Sequence, residues 1–215
     1  MKKLNWAGKT LAYVLQAILI FIIFLPLMFA LVSSFRPLED VYRYIRPIVL
    51  QTFLPTNFTL DGYRTIFTEY HYETAVLNSL LVAAATILLG VMLNAMAGFC
   101  FAKFLFRGKK ILFGLVLLTS MIPFEMISIN LYQIIMRFHW INTYQALILP
   151  SVANGIVIFL FRQYFLDFPG YMLEAGMLDG LSWPGIFMKI AMPNAKSIII
   201  SAGLILFLSQ WESFM

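Results

Sequence analysis

The 215-residue chain is 61% hydrophobic and only 12% charged, with a net charge of +5 and a mean hydropathy of +0.86. Soluble domains carry about 25% charged residues, so the composition excludes an ordinary soluble domain and places the chain in lipid. The single cysteine, Cys100, excludes an internal disulfide framework and a cysteine metal site; the positive balance does not indicate nucleic acid, because Lys and Arg flank apolar runs, where they set membrane orientation.

A hydrocarbon core about 30 Å thick needs about 20 apolar residues at about 1.5 Å each. Five runs reach that length, 11–33, 78–102, 111–136, 144–165 and 197–215, and predict an all-α polytopic membrane protein organised as one transmembrane domain over 1–215. The first run follows MKKLNWAGK. It is too long for the apolar region of a secretory signal and no small-residue cleavage site follows, so it reads as a retained span. The GKT at 8–10 lacks the earlier glycine of a phosphate loop, since position 3 is Lys3, and no strand precedes it.

Residues 34–73 are mixed in composition, and PTNFTLDGY (55–63) reads as a turn followed by a short amphipathic element. Asn57-Phe58-Thr59 fits a glycosylation sequon, a pattern common by chance. His71 and His139 stand isolated, without metal-ligand spacing.

In the second run Thr86, Gly90, Asn94 and Gly98 recur every four residues and share a helix face. Small residues let helix backbones approach closely in lipid, so this face predicts helix packing, with a pathway lining as the alternative. The third run carries MIPFEMISINLYQ (121–133), with Glu125 near mid-membrane and Ser128 and Tyr132 on the same face. A carboxylate at that depth faces a cavity or a partner, so these three are candidates for pathway or subunit packing, and Pro123 is expected to kink the helix. The fourth run contains ILPSVANGIVIF (148–159), in which Pro150, Asn154 and Gly155 predict a polar interruption facing protein or water.

An N-terminus in the cytoplasm puts Lys2, Lys3, Lys9, Lys103, Arg107, Lys109, Lys110, Arg162, Lys189 and Lys196 inside, and Arg36, Arg43, Arg46, Arg64 and Arg137 outside. That asymmetry favours N-in. Residues 34–73 are then extracytoplasmic and 166–196 cytoplasmic.

The cytoplasmic loop contains EAGMLDGLSWPGIFMKIAMP (174–193), the sharpest concentration of carboxylates, glycines and prolines in an apolar context. Residues 171–178 can form about two helical turns, and Gly180 supplies a left-handed stop. Ser182 is placed to cap a second short helix with Pro184 in its first turn. Ile186, Phe187 and Ile190 give that helix an apolar face, and Pro193 closes it and starts the next span. The unit is shaped for a partner's groove, though an ordinary surface helix fits the same residues. No nucleophile–base constellation accompanies it, so the chain is not expected to be an enzyme.

This stretch resembles the EAA loop of ATP-binding-cassette importer permeases, roughly EAA-x-x-DGA-x(5)-F-x-x-I-x-x-P. The likeness extends to 53–67, 78–110, 121–150, FLFRQYF (159–165) and the terminal SQWESFM, and is greatest for the carbohydrate branch. It implies the type I importer permease fold with five of an expected six transmembrane helices, the chain being truncated before the last one and unable to transport as it stands. It implies a coupling loop that docks in a cleft of a cytoplasmic ATPase subunit. Glu174 would pair with a basic residue there and Ala175 would pack in the cleft. Asp179 and Gly180 would form the turn, Leu178 would belong to the ATPase-coupling residues, and Phe187, Ile190 and Pro193 would give support. Gly176 and Leu181 depart from the usual alanines, and Gly176 loosens a short helix by up to about 1 kcal/mol relative to Ala. The implied partners are that ATPase, which would hold ATP and Mg, a second permease subunit, an extracytoplasmic solute-binding protein and membrane lipid, with no cofactor on this chain. The implied location is the bacterial or archaeal inner membrane, and the implied mechanism is alternating access. Three alternatives stand beside a sugar importer: a permease for a solute such as glycerol phosphate, a self-contained secondary transporter, and a membrane assembly protein.

Overall fold

The computed structural model describes residues 6–44, 49–54 and 57–212. Lys2, Lys3, Arg46, Pro55 and the end of the fifth apolar run lie outside the described residues. Among the described residues every regular element is helical. The chain divides into two compact units, 1–75 and 76–215.

In the first unit, α1 (Trp6–Ser34) runs for 29 residues, about 44 Å at the helical rise. No residue of its apolar stretch Gly8–Ser34 is buried. Two short helices follow, α2 (Leu38–Arg43) and α3 (Asp61–Thr68). Polar bonds hold this segment. Arg36 Nη2 donates to the Gln51 carbonyl, Thr52 Oγ1 to the Tyr44 carbonyl (2.7 Å), and Asn57 Nδ2 to Asp40 Oδ2 (2.9 Å). Arg36, Asp40 and Thr52 are buried in the process, and Phe35 stacks on Phe58 at 5.0 Å.

The second unit is built on α4 (Tyr72–Lys103), 32 residues without proline, which belongs to it from Val76 onward. Its buried residues include Val82, Thr86, Gly90, Asn94, Gly98 and Phe99, a stripe at helical spacing. α5 (Lys109–Thr119) and α6 (Phe124–Arg137) follow, then α7 (Tyr144–Val152), α8 (Gly155–Leu166) and α9 (Gly170–Leu178). α10 (Trp183–Ile186) continues through a π-helical turn (Phe187–Ala191) into α11 (Met192–Asn194), and α12 (Lys196–Trp211) ends the described chain. The core gathers Phe99, Val157, Phe161, Phe165, Ile186, Phe187, Ala202 and Leu206, with Phe99 edge-on to Phe165 at 5.2 Å.

Among the described residues two helices, Gly8–Ser34 and Tyr72–Lys103, are long and apolar enough to cross a membrane singly, and the count reaches five if each of three bent pairs is one span. The third run therefore differs from a single kinked helix: α5 and α6 meet at 97°. Pro123 sits ahead of α6 as its N-cap rather than inside a helix. Proline lacks the N–H that would continue the ladder. Upstream, the hydroxyls of Thr119 (2.7 Å) and Ser120 (3.4 Å) both turn back to the Val116 carbonyl, so the chain leaves the helix over several residues.

The glycine face of α4 sets the interhelical spacing. A Cβ on Gly98 would lie 2.6 Å from Phe161 Cβ and 2.8 Å from the Arg162 amide nitrogen. Gly114 in α5 has nothing within 4 Å. Gly98→Ala should therefore lower the melting temperature by forcing α4 off α8, whereas Gly114→Ala should leave it unchanged or raise it, since helix propensity adds up to about 1 kcal/mol of stability there. Paired thermal melts in detergent check this; equal behaviour of the two variants would contradict it.

Candidate functional site

The most polar feature inside the bundle is Asn94, fully buried on α4. Its Nδ2 donates to the carbonyls of Val152 (2.8 Å) and Gly90 (2.6 Å). Its Oδ1 accepts from the Asn154 amide at 2.9 Å. Val152 and Asn154 flank the break between α7 and α8, where the fourth run bends by 42°. Asn154 in turn caps α8, its Oδ1 accepting from the amides of Ile156 (3.0 Å) and Val157 (3.1 Å). Backbone groups freed by a break cost several kcal/mol in lipid unless they are paired; here two asparagines pair them.

Gly155 brings a second break to the same place. Any side chain there would run into Ser120 and, at 2.5 Å, the Val116 carbonyl, so the end of α5 packs against the start of α8. Of the remaining stripe residues, Thr86 is buried with its hydroxyl 3.5 Å from Gln210 Oε1. A Cβ on Gly90 would lie 2.8 Å from Leu206 Cδ1 and 3.2 Å from the Val152 carbonyl. Thus Thr86, Gly90, Asn94 and Gly98 all face α7, α8 or α12. Glu125, Ser128 and Tyr132 are not brought into this cluster. Glu125 and Tyr132 are exposed on α6, and the Ser128 hydroxyl donates to the Glu125 backbone carbonyl at 2.9 Å.

At one end of α4, Lys103 Nζ donates to the Phe168 carbonyl (2.9 Å) at the entry to the 166–196 loop. α9 ends in a left-handed stop: Gly180 has φ +78°, its amide bonds the Met177 carbonyl and the Leu181 amide bonds the Gly176 carbonyl, both at 3.0 Å. These paired bonds are the Schellman arrangement. The inner face of α9, Leu173 and Gly176, is buried. A Cβ on Gly176 would lie 2.5 Å from Ile190 Cδ1 and 3.3 Å from Ile186 Cγ1, so the glycine that lowers helix propensity also lets α9 lie close to the following segment. The outer face, Tyr171, Glu174, Ala175 and Leu178, is exposed.

Two details of the loop differ from the sequence reading. Ser182 precedes α10 but makes no side-chain cap; its carbonyl accepts the Ile186 amide at 2.8 Å. Pro193 does not close the helix, which runs on to Asn194 and breaks at Ala195 before an 85° bend. The π turn just upstream widens the ladder, with the Met192 amide reaching the Phe187 carbonyl, and Asn194 Nδ2 takes the Ile190 carbonyl at 2.7 Å. Phe187 is buried against Phe99, the ring centroids 5.4 Å apart.

At the opposite end of α4, an open cavity of about 820 Å³ is bounded by Asn78, Ser79, the 142–147 segment, Gln210 and Trp211. Asn78 and Lys103 are separated by about 38 Å of helix at 1.5 Å per residue. The sequence reading missed this cavity because its polar residues sit at three separate span ends, with no periodicity to join them. It also missed the Arg162 guanidinium, 4.3 Å above the Phe113 ring, which ties α8 to α5.

The family described as "Binding-protein-dependent transport system inner membrane component" matches residues 86–215. The arabinooligosaccharides transport system permease protein AraQ of Halalkalibacterium halodurans is 34% identical over 200 residues, covering 93% of this chain and 71% of AraQ. The sn-glycerol-3-phosphate transport system permease protein UgpE of Rhizobium meliloti is 28% identical, covering 97% and 74%. Among solved structures, a bacterial ABC transporter involved in import of the acidic polysaccharide alginate superposes with a TM-score of 0.84 at 17% identity, over 99% of this chain and 75% of that one. That similarity shows a shared fold.

Asn94→Leu should leave the Val152 carbonyl and the Asn154 amide unpaired and destabilise the bundle by about 1–3 kcal/mol for each group stranded. Denaturation in mixed micelles checks this; stability equal to the parent would show that the broken span is held by something else.

Proposed function

The chain belongs to the inner membrane components of binding-protein-dependent transport systems, and on that premise we propose that it is the permease subunit of an ATP-driven sugar importer, coupled to its ATPase through α9. Members of this family are membrane-embedded transport components rather than enzymes. In this reading the N-terminus is cytoplasmic, a second permease subunit completes the pathway, and a binding protein delivers the solute on the far side. ATP and Mg are held by the ATPase, and this chain contributes the mechanical link.

The observation that carries the coupling role is the two-sidedness of α9. Leu173 and Gly176 bury against Ile186 and Ile190, while Tyr171 is 71% and Leu178 89% exposed. With Glu174 and Ala175 they form one face, at spacings of three, four and seven residues. An exposed apolar helix face carrying a single carboxylate suits a cleft with an apolar floor and a basic rim. Because α9 is fastened to the π turn, and that turn leads through α11 and the bend at Ala195 into α12, a push on α9 reaches a membrane helix across a single bend. Sugar is favoured as cargo because the AraQ relative carries arabinooligosaccharides; the UgpE relative makes glycerol phosphate the second reading.

The left-handed turn at Gly180 is the test. A branched side chain at φ +78° costs about 1–2 kcal/mol and should misdirect the helix pair while the spans stay folded. Gly180→Val in the assembled transporter should cut solute uptake per ATP hydrolysed by at least about tenfold, with membrane expression unchanged. Full coupled uptake by this variant would sink the assignment of α9.

A further inference from the structure

The geometry points to the open cavity at the Asn78 end of the bundle as a subsite for a neutral carbohydrate, and not for a phosphorylated or carboxylated solute. This inference rests on the importer reading above and narrows its cargo.

The volume, about 820 Å³, falls within the usual range for small-molecule sites, about 300–1,000 Å³. Its lining includes the amide side chains of Asn78, Asn142 and Gln145, together with Gln210, whose Oε1 is already engaged by the Thr86 hydroxyl. Each amide presents both donors and acceptors, which matches hydroxyl groups that need both. The Tyr144 hydroxyl and Asn78 Oδ1 lie 2.9 Å apart in a hydrogen bond, which orients the Asn78 amide and keeps its NH₂ as a donor. Trp211 supplies an aromatic face on the same cavity and is steadied by stacking on Phe207, 5.4 Å between centroids and 22° between planes. Amides around an indole give a sugar ring polar partners at its edge and an apolar surface for its C–H face.

Charge decides the class. None of the described residues lining the cavity is Lys, Arg, His, Asp or Glu. A phosphate or carboxylate entering it would surrender hydration without meeting a full opposite charge. The first turn of α7 opens on the cavity, and the Thr143 hydroxyl is engaged with the Trp140 carbonyl at 2.7 Å rather than capping that turn. Its amides carry only a partial positive charge, enough to donate to a hydroxyl or ring oxygen. Position agrees with the chemistry, since the cavity lies at the far end of α4 from α9, where an N-in permease first meets its solute.

The test is direct binding to the full-length chain, with its partner subunits, in nanodiscs. Titrations with arabinotriose and with sn-glycerol 3-phosphate are followed by saturation-transfer NMR. Arabinotriose should bind saturably, glycerol 3-phosphate at least about tenfold more weakly. Gln145→Leu should weaken arabinotriose by about fivefold to tenfold, and Gln145→Arg should shift the preference towards glycerol 3-phosphate; thermal melts establish that both variants fold. Glycerol 3-phosphate binding as tight as arabinotriose would overturn the neutral class. Absence of arabinotriose binding, or binding unchanged in both variants, would overturn the subsite. Failure of the importer reading is seen separately, as a loss of association with an ATPase, which needs no ligand in this cavity.

Discussion

In a bilayer every backbone N–H and C=O must find a partner within the protein, and this chain breaks its helices where that rule bears hardest. Asn94 resolves the conflict in the second unit. From one fully buried side chain it reaches a carbonyl on its own helix, a carbonyl at the end of α7 and an amide at the start of α8. Asn154 then closes the first turn of α8. With those groups paired, the fourth run can bend without exposing bare backbone to lipid, and α4 becomes the fixed post against which α8 and α12 pack. The glycines at 90 and 98 are the steric counterpart: they admit the neighbours closely enough for the asparagine to reach.

In the proposed importer, force and solute would be handled at opposite ends of that post. At the Lys103 end, the Schellman turn, the buried Gly176 and the π turn fasten α9 to the segment that becomes α12. At the Asn78 end the bundle opens into a neutral, amide-lined cavity. The stretch between is continuous helix in α4 and interrupted helix around it. Such an arrangement suits a device that transmits displacement: one rigid member, with breaks in its neighbours whose polar groups are held by side chains and can be re-paired as the helices tilt.

Much of this was legible in the residues. Apolar run lengths gave the all-α membrane class, and the period-four stripe on the second run picked out Thr86, Gly90, Asn94 and Gly98, which the structure buries. The helix over 171–178 and the left-handed Gly180 followed from local rules, because those features depend on nearby residues only. What the sequence could not convey was which carbonyl each polar residue would meet. Asn94 and Asn154 are 60 positions apart, and neither periodicity nor propensity links them. The turn between α5 and α6 is sharper than the kink that Pro123 alone predicts, because Thr119 and Ser120 also draw on one carbonyl just upstream. Pro193 misled in the other direction, since a π turn and the Asn194 side chain let the helix pass it.

The central claim is that the outward face of α9 meets a nucleotide-hydrolysing partner. A photo-crosslinking residue placed at Leu178, which is 89% exposed, tests it most directly in membranes that contain the whole transporter. The account predicts an adduct with the ATPase subunit whose yield changes when ATP is added, and none from the same probe at fully buried Ile186. An adduct with lipid alone, or equal ATPase adducts from both positions, would contradict it.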